Sequence, residues 1–160
     1  MPRFGKALPA ALRDGLAENE VELIVHCGDI VDAMAIPIFE ALAPLEAVAG
    51  NNDPPDLVKR FGRKKILEFG SVRIGMVHGH DGTGRSTLAR AENAFKGERV
   101  HAILFGHSHV PYCQWHGEQL LFNPGSPTDR RRQPNYSYGI IRIVGKTLEP
   151  QLVYYADKSP

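Results

Sequence analysis

Residues 101 to 109 read His-Ala-Ile-Leu-Phe-Gly-His-Ser-His, an apolar run that passes through one glycine into a pair of histidines. Such a run predicts a buried strand, and strand ends are where α/β sheets build their binding sites. Residues two positions apart in an extended segment point to the same side, so His107 and His109 are predicted to face one metal ion or two adjacent ions. Taken alone, the pair fits an ordinary solvated turn equally well.

Three other predicted strands end in side chains of the same kind. The run Val21–Val25 leads to Gly28-Asp29, Leu45–Ala49 leads to Gly50-Asn51-Asn52-Asp53, and Val72–Val77 leads to His78-Gly79-His80. Carboxylate, amide oxygen and imidazole suit Mn, Fe, Ni or Zn, and a carboxylate can bridge two ions. Each segment has an ordinary alternative: a helix N-cap at Asp29, a turn at Asn51, a packed core histidine at His78. Their recurrence at four strand ends favours a metal site.

The order of predicted elements indicates one mixed α/β domain covering residues 1–160. Apolar residues at helical spacing predict helices at Ala7 to Leu16, Val31 to Leu42, Asp56 to Phe61 and Ser86 to Phe95. A hairpin is predicted around Gly70-Ser71, and the last third is mostly β, with strands near Tyr112 to Trp115, Leu120 to Phe122, Tyr138 to Ile143 and Leu152 to Tyr155. A sheet core with helices outside fits this order best.

Composition excludes several classes of function. The net charge is +1, from 19 basic and 18 acidic residues, so nothing indicates a nucleic-acid partner or attraction to acidic membranes. No apolar run reaches the roughly 20 residues of a membrane helix. The two cysteines, Cys27 and Cys113, do not form a disulfide framework, and they favour a reducing compartment. We therefore expect a soluble, cytoplasmic protein.

Taken in order, the motifs Gly-Asp, Gly-Asn-x-Asp, His-Gly-His, Gly-His-x-His and Asn123-Pro124-Gly125-Ser126 resemble those of the calcineurin-like metallophosphoesterases. The closest resemblance is to their small single-domain branch, the YfcE-like and Vps29-like proteins. It implies a four-layer α/β/β/α sandwich with a dinuclear metal site at the strand ends, Mn being the first choice of ion and Ni, Fe or Zn the alternatives. By this resemblance Asp29 bridges the two ions. Asn51, His78 and His107 complete the shell of one ion, and His109 serves the other.

Four further residues are candidates for the chemistry and for substrate binding. Asn52 occupies a position where many relatives carry a histidine that protonates the leaving group, and an amide cannot act as a general acid at neutral pH. Asp53 is expected to hold its loop by hydrogen bonding, or to be a simple turn residue. His80 and Arg131 are candidates for contacting phosphate. The alternatives are a supporting role behind the metal ligands for His80 and a solvated charge run, residues 130–132, for Arg131.

The amino-terminal part departs from the family pattern. The family begins with a strand that ends in Asp-x-His, and no such motif precedes Asp29. We therefore expect the second metal site to be incomplete. Our hypothesis is that Met1 is an internal methionine and that a first central strand with its motif, roughly 10 residues, is encoded upstream. Loss of that strand would leave unpaired backbone groups and a groove, which favours dimerisation or strand exchange.

The expected function is metal-dependent hydrolysis of phosphodiesters, or of activated phosphate esters, by a hydroxide that bridges two ions. The expected partner is a small phosphate-ester substrate, with neither nucleic acid nor membrane, and a homo-oligomer stays an open alternative. Two other functions are compatible with the sequence. One is a catalytically weak, Vps29-like binding scaffold, and the other is a truncated enzyme with an incomplete dinuclear site.

Overall fold

The computed structural model describes residues 7–160, so the hypothesis about Met1 concerns residues outside the described part. In chain order the elements are α1 (Ala10–Glu18), β1 (Ile24–His26), α2 (Ala35–Glu40), β2 (Leu45–Ala47), α3 (Pro55–Phe61), β3 (Lys64–Phe69), β4 (Val72–Val77), α4 (Thr87–Ala94), β5 (Ala102–Leu104), β6 (Tyr112–His116), β7 (Gln119–Asn123), β8 (Tyr136–Val144) and β9 (Thr147–Tyr155). The predicted alternation of helix and strand, followed by a mostly β segment, is confirmed.

The strands form three units within residues 7–160. β1 and β2 pair in parallel, β8 and β9 form an antiparallel pair, and a five-stranded sheet has the order β3-β4-β5-β7-β6. In that sheet β4, β5 and β7 run parallel, while β3 and β6 are antiparallel edge strands. The carboxyl ends of the three parallel strands therefore meet at one edge, where the polar segments that follow them gather.

Three apolar clusters divide the molecule into four layers. The first cluster packs α1, α2 and α3 against β1, β2, β8 and β9, and it includes Leu12, Phe39 and Tyr138. The second lies between these strands and the five-stranded sheet. The third packs α4 on the outer face of that sheet, with Phe95 among its buried members. This is the predicted α/β/β/α sandwich, in which each interface removes one apolar face from water.

Local sequence signals set several of the observed boundaries. Pro55 opens α3 at a position that needs no backbone donor, and Gly62 ends it with a φ of 69°. The Ser86 hydroxyl accepts a hydrogen bond from the Ala89 N–H at 3.1 Å, which caps α4. No helix in residues 7–160 is both long and apolar enough to cross a membrane.

Helix α2 is shorter than the predicted helix from Val31 to Leu42. Its first residue is Ala35, because the segment before it is held in a loop. The Val31 N–H donates to Asp53 Oδ1 at 2.7 Å, and Asp29 and Val31 both have a positive φ. A left-handed backbone cannot continue into a right-handed helix, so this tertiary contact overrides the apolar spacing of the sequence.

Gly75 provides a test of the packing between the five-stranded sheet and α4. A Cβ at this position of β4 would lie 2.6 Å from a ring carbon of Phe95. We expect Gly75→Ala to lower the free energy of unfolding by about 1–3 kcal/mol through overpacking. Adding Phe95→Leu should recover part of this loss, measured by urea denaturation as a double-mutant cycle. A strictly additive cycle would contradict the contact.

Candidate metal centre

Asp29 and His78 form the buried centre of the site. Each residue is 2 % exposed, and His78 Nε2 lies 3.4 Å from Asp29 Oδ2. His78 Nδ1 donates to the Cys27 carbonyl oxygen at 2.7 Å, which leaves Nε2 as the nitrogen facing the carboxylate. Nε2 is buried without a hydrogen-bond partner. An unpartnered imidazole nitrogen whose tautomer is fixed by a backbone carbonyl is typical of a metal ligand.

The Asp29 carboxylate is held by the next loop. The backbone N–H of Asn52 donates to Oδ1 at 2.9 Å, and its side-chain amide donates to Oδ2 at 2.7 Å. Burial raises the pKa of Asp29, but His78 and these two hydrogen bonds outweigh that effect, so the pKa lies below its ordinary value. Asp29 is therefore a fixed anion. Asn52, predicted from the family pattern as a catalytic position, holds this carboxylate through both its backbone and its side chain.

His107 and His80 both lie against His78, and the three rings form a triangle in which the His107 and His80 centroids are 6.2 Å apart. Their ring centroids are 5.1 Å and 5.2 Å from that of His78. His107 Nδ1 shares a 3.1 Å hydrogen bond with Asn51 Oδ1, in which the ring nitrogen donates because the amide oxygen only accepts. Burial lowers the pKa of both His107 and His80. Neutral imidazoles are the form that binds metal ions.

His80 is tied to Arg63, a residue that the sequence did not indicate. Arg63 Nη1 donates to His80 Nε2 at 2.8 Å. A guanidinium has no acceptor, so His80 accepts here and carries its proton on Nδ1. Arg63 follows Gly62 at the end of α3, in a segment that carries no metal-ligand motif, which is why no local pattern pointed to it. The structure therefore places His80 beside the centre with one nitrogen already occupied.

The prediction that His107 and His109 lie on an extended segment is wrong. Their φ angles are 61° and 59°, and the Ser108 N–H closes a tight turn on the Gly106 carbonyl at 2.7 Å. His109 faces a different partner, the Asp129 carbonyl oxygen, which its Nδ1 contacts at 2.5 Å. Burial lowers the pKa of His109. The turn thus sends the two imidazoles to separate positions.

Asn123 secures this turn and is a second residue that the sequence did not assign a role. It is fully buried at the end of β7. Its amide nitrogen donates to the Gly106 carbonyl at 2.9 Å and to the Ser108 hydroxyl at 3.1 Å, while its oxygen accepts from the Gly125 N–H at 2.9 Å. The signal available in the sequence was an asparagine that directly follows an apolar run, Leu120 to Phe122. Its satisfied hydrogen bonds make it a positioning residue.

Asp53 joins the loops that follow β1 and β2. Its Oδ2 accepts from the backbone N–H groups of Asp29 at 2.9 Å and Gly50 at 2.7 Å, and its Oδ1 accepts from Val31 at 2.7 Å. Both carboxylate oxygens are therefore occupied by backbone donors. This fits the loop-holding role expected for Asp53.

Arg131 is exposed, and its positive charge contributes to lowering the pKa of His107 and His109 after the larger effect of burial. Its charge therefore disfavours protonation of both imidazoles. Its neighbour Arg130 packs 5.5 Å from the centroid of the Tyr136 ring. The basic run is thus partly fixed against the domain and brings positive charge to the rim of the centre.

Comparison with known proteins identifies the family of this chain. The sequence profile of the calcineurin-like phosphoesterase superfamily domain matches residues 5–146. The chain belongs to this superfamily.

Two proteins of one archaeon are similar in sequence to this chain. It is 36% identical over 121 residues to a protein of Methanocaldococcus jannaschii named probable metallophosphoesterase, an alignment covering 76% of this chain and 60% of that protein. The match thus spans less than two thirds of that relative's length. A second protein of this organism, named phosphodiesterase, is 32% identical over 120 residues, covering 68% of this chain and 69% of that protein.

The fold is also seen in solved structures. The crystal structure of Vps29 from Entamoeba histolytica complexed with Zn²⁺ has a TM-score of 0.71 and 21% identity, covering 96% of this chain and 93% of that one. At this level of identity the likeness concerns the fold.

The side chains at the centre supply some of the donors that a metal ion needs. Among residues 7–160, no three His, Cys, Asp or Glu side chains converge closely enough to hold an ion. The unpartnered, buried Nε2 of His78 beside an ionised Asp29 nevertheless supplies two donors of the right chemistry. His107 and Asn51 lie next to them and offer an imidazole nitrogen and an amide oxygen. The donor set therefore fits one ion.

The three hydrogen bonds to Asp53 predict that the positions of the loops after β1 and β2 depend on its carboxylate. Asp53→Asn keeps the shape but leaves only one accepting oxygen for three backbone donors. We expect the free energy of unfolding to fall by roughly 2–4 kcal/mol. Asp56→Asn, an exposed change in the first turn of α3, is the matched control, with an expected effect within about 0.5 kcal/mol. Equal effects of the two changes in urea denaturation would refute the proposed anchoring.

Proposed function

We propose that this protein is a metal-dependent phosphoesterase that hydrolyses phosphodiesters or activated phosphate esters. The observation that carries the proposal is the buried pair of Asp29 and His78, in which an ionised carboxylate faces an unpartnered imidazole nitrogen. Membership of the calcineurin-like phosphoesterase superfamily supports the same reaction class. In the cell we propose a cytoplasmic location, which the two free cysteines support.

We propose a dinuclear type of site in which one divalent ion is held by Asp29, Asn51, His78 and His107, with Mn²⁺ as the first choice and Ni, Fe or Zn as alternatives. A second ion would have only Asp29 and His109 as donors from the residues that we assign, so that second site is incomplete. When bound, such ions neutralise phosphate charge and supply a hydroxide nucleophile at neutral pH. The chain's own part is to hold the donors in the form that binds metal, because burial lowers the pKa of His107 and His109 while the two hydrogen bonds from Asn52 favour the ionised form of Asp29.

The remaining polar groups suggest how a phosphate ester would be oriented. The positive charge of Arg131 acts on both His107 and His109, so it can also attract an anionic ester. Asn52 offers no proton to a leaving oxygen, and its amide is engaged by Asp29. His80 keeps a proton on Nδ1, pointing away from its Arg63 contact. Substrates whose leaving groups need little protonation should therefore be preferred.

A binding scaffold with weak metal affinity is the second candidate. The observation that favours it is the lack of three converging His, Cys, Asp or Glu side chains in the described residues. For the ion that His109 would bind, Asp29 is the one other donor that we assign. A scaffold needs neither ion nor turnover, so metal binding and hydrolysis together separate the two candidates.

The primary test uses His78→Gln, which removes the unpartnered nitrogen, and His116→Gln as a matched control at an exposed histidine outside the site. For the unaltered chain we expect Mn²⁺ binding in calorimetry and hydrolysis of bis-p-nitrophenyl phosphate. His78→Gln should lower both metal affinity and rate by about 100-fold or more, since changes to groups that merely support ligands cost 10–100-fold. His116→Gln should change neither. If the unaltered chain neither binds nor hydrolyses, the scaffold is favoured.

A second test concerns the leaving group. Asn52→His introduces an imidazole that can donate a proton, which contributes roughly 10²–10⁴-fold where the leaving group is poor. We expect the ratio of alkyl-ester to p-nitrophenyl-ester hydrolysis to rise by at least about tenfold. Asn52→Gln is the control, because it keeps an amide and should leave that ratio unchanged. The proposed role of Asn52 is wrong if the unaltered chain already prefers alkyl monoesters.

A further inference from the structure

Arg63 lies next to the metal centre, although none of the metal-ligand motifs contains it. It follows Gly62, whose carbonyl accepts from the Ala49 N–H at 2.6 Å in the loop after β2. It also directly precedes β3, whose first residue, Lys64, pairs with Val77 at the end of β4. The backbone at position 63 is therefore held between two strand ends, each of which leads into a proposed metal donor.

The guanidinium of Arg63 uses only part of its hydrogen-bonding capacity. Nη1 donates to His80 Nε2 at 2.8 Å, and this side chain makes no other hydrogen bond and no ion pair within residues 7–160. The edge formed by Nε and Nη2 therefore keeps its donors. Such an edge binds a carboxylate or a phosphate through two parallel hydrogen bonds. Because Arg63 is exposed, a dissolved anion can reach it.

His80 connects Arg63 to the metal donors. Its ring centroid lies 5.2 Å from that of His78 and 6.2 Å from that of His107. No hydrogen bond or ion pair in residues 7–160 joins Arg63 directly to either of these donors, so the guanidinium is reached from the centre through one intervening side chain. A ligand held at the donors would therefore meet Arg63 with a group that lies some bonds away from its phosphorus.

The charges around the centre differ from one imidazole to the next. Burial lowers the pKa of His80, and among the nearby charges Asp81 raises it while Arg63 lowers it. For His107, the effect of burial is followed by charges that include Arg131. Asp81 lies 3.6 Å from His80 Nε2 and is 59 % exposed, but it forms no ion pair with Arg63. Two arginines thus bring positive charge to separate imidazoles of one centre.

We propose that Arg63 is a specificity-determining residue that binds a second anionic group of the substrate, a carboxylate or phosphate attached some bonds away from the ester phosphorus. This role rests on the proposed phosphoesterase function and narrows its substrate class to phosphodiesters with an additional negative charge on a substituent. The contact is made equally in the bound substrate and in the transition state, so it lowers KM and leaves kcat nearly unchanged. Asp81 weakens this attraction because it repels the same anion.

The test compares two analogues of bis-p-nitrophenyl phosphate that have the same shape, one with a carboxylate beside each nitro group and one with the matching amide. Both rings of each probe are identical, so a carboxylate is available to Arg63 whichever ring leaves. Arg63→Gln should lower the ratio of kcat/KM for the carboxylate probe to that for the amide probe by about tenfold, mainly through KM. Arg63→Lys, which keeps the charge but not the fork, should recover part of the ratio. A merely structural role would change both probes equally and leave the ratio unchanged.

Two further variants control for charge. Arg60→Gln removes the same charge from α3, where Arg60 is paired with Glu40 at 2.9 Å. Its ratio should stay within about twofold of that of the unaltered chain, because dissolved ions screen a charge outside the site. Asp81→Asn should raise the ratio by roughly twofold to fivefold, because it removes a charge that repels the carboxylate.

Calorimetric binding of both probes in EDTA separates the role of Arg63 from the proposed activity. Where hydrolysis is seen, the kinetic ratio decides, and a ratio that Arg63→Gln leaves unchanged overturns the role of Arg63 while the phosphoesterase function stands. Where no hydrolysis is seen, binding decides. Tighter binding of the carboxylate probe that Arg63→Gln abolishes then supports the role of Arg63 and counts against the activity. Equal binding of the two probes, or a preference that Arg63→Gln does not change, overturns both.

Discussion

The rest of the site depends on the hydrogen bonds that the Asp53 carboxylate accepts from three backbone N–H groups. These bonds draw the loop after β1 onto the loop after β2. The two loops then approach so closely that a Cβ at Gly50 would lie 2.1 Å from Asp29 Oδ1. Only glycine fits there, and Asp29 itself is held at a φ of 58°. Strain of this kind is maintained by the surrounding contacts and is typical of functional sites.

Two backbone carbonyls extend this control to the histidines. The Cys27 carbonyl accepts from His78, and the Asp129 carbonyl contacts His109, so each ring uses Nδ1 for a backbone carbonyl and keeps Nε2 out of that contact. Burial lowers the pKa of His109, which therefore stays neutral at neutral pH. An anionic carboxylate among neutral imidazoles is an arrangement that attracts a divalent cation. The geometry is most complete around His78 and His107, where an amide oxygen also lies within reach.

Much of the fold was predictable because its signals are local. The hairpin of β3 and β4, helix α3 with its proline start, and helix α4 with its Ser86 cap all follow from spacing and capping within a few residues. The start of α2 was not predictable, because it depends on a bond between Val31 and Asp53, 22 positions apart. Arg63 was missed for a similar reason. Its contact with His80 exists only after β3 and β4 have paired.

The sequence by itself determined which donors exist and that each follows a strand, because apolar runs and the polar residues that close them are read locally. Tertiary structure alone decided how the donors meet. It sent His107 toward Asn51 and His109 toward Asp129, since a turn fixed by Asn123 replaces the extended segment that their spacing suggested. It also brought Arg63 to His80, 17 positions away along the chain, because the register of β3 on β4 places the start of β3 beside the end of β4.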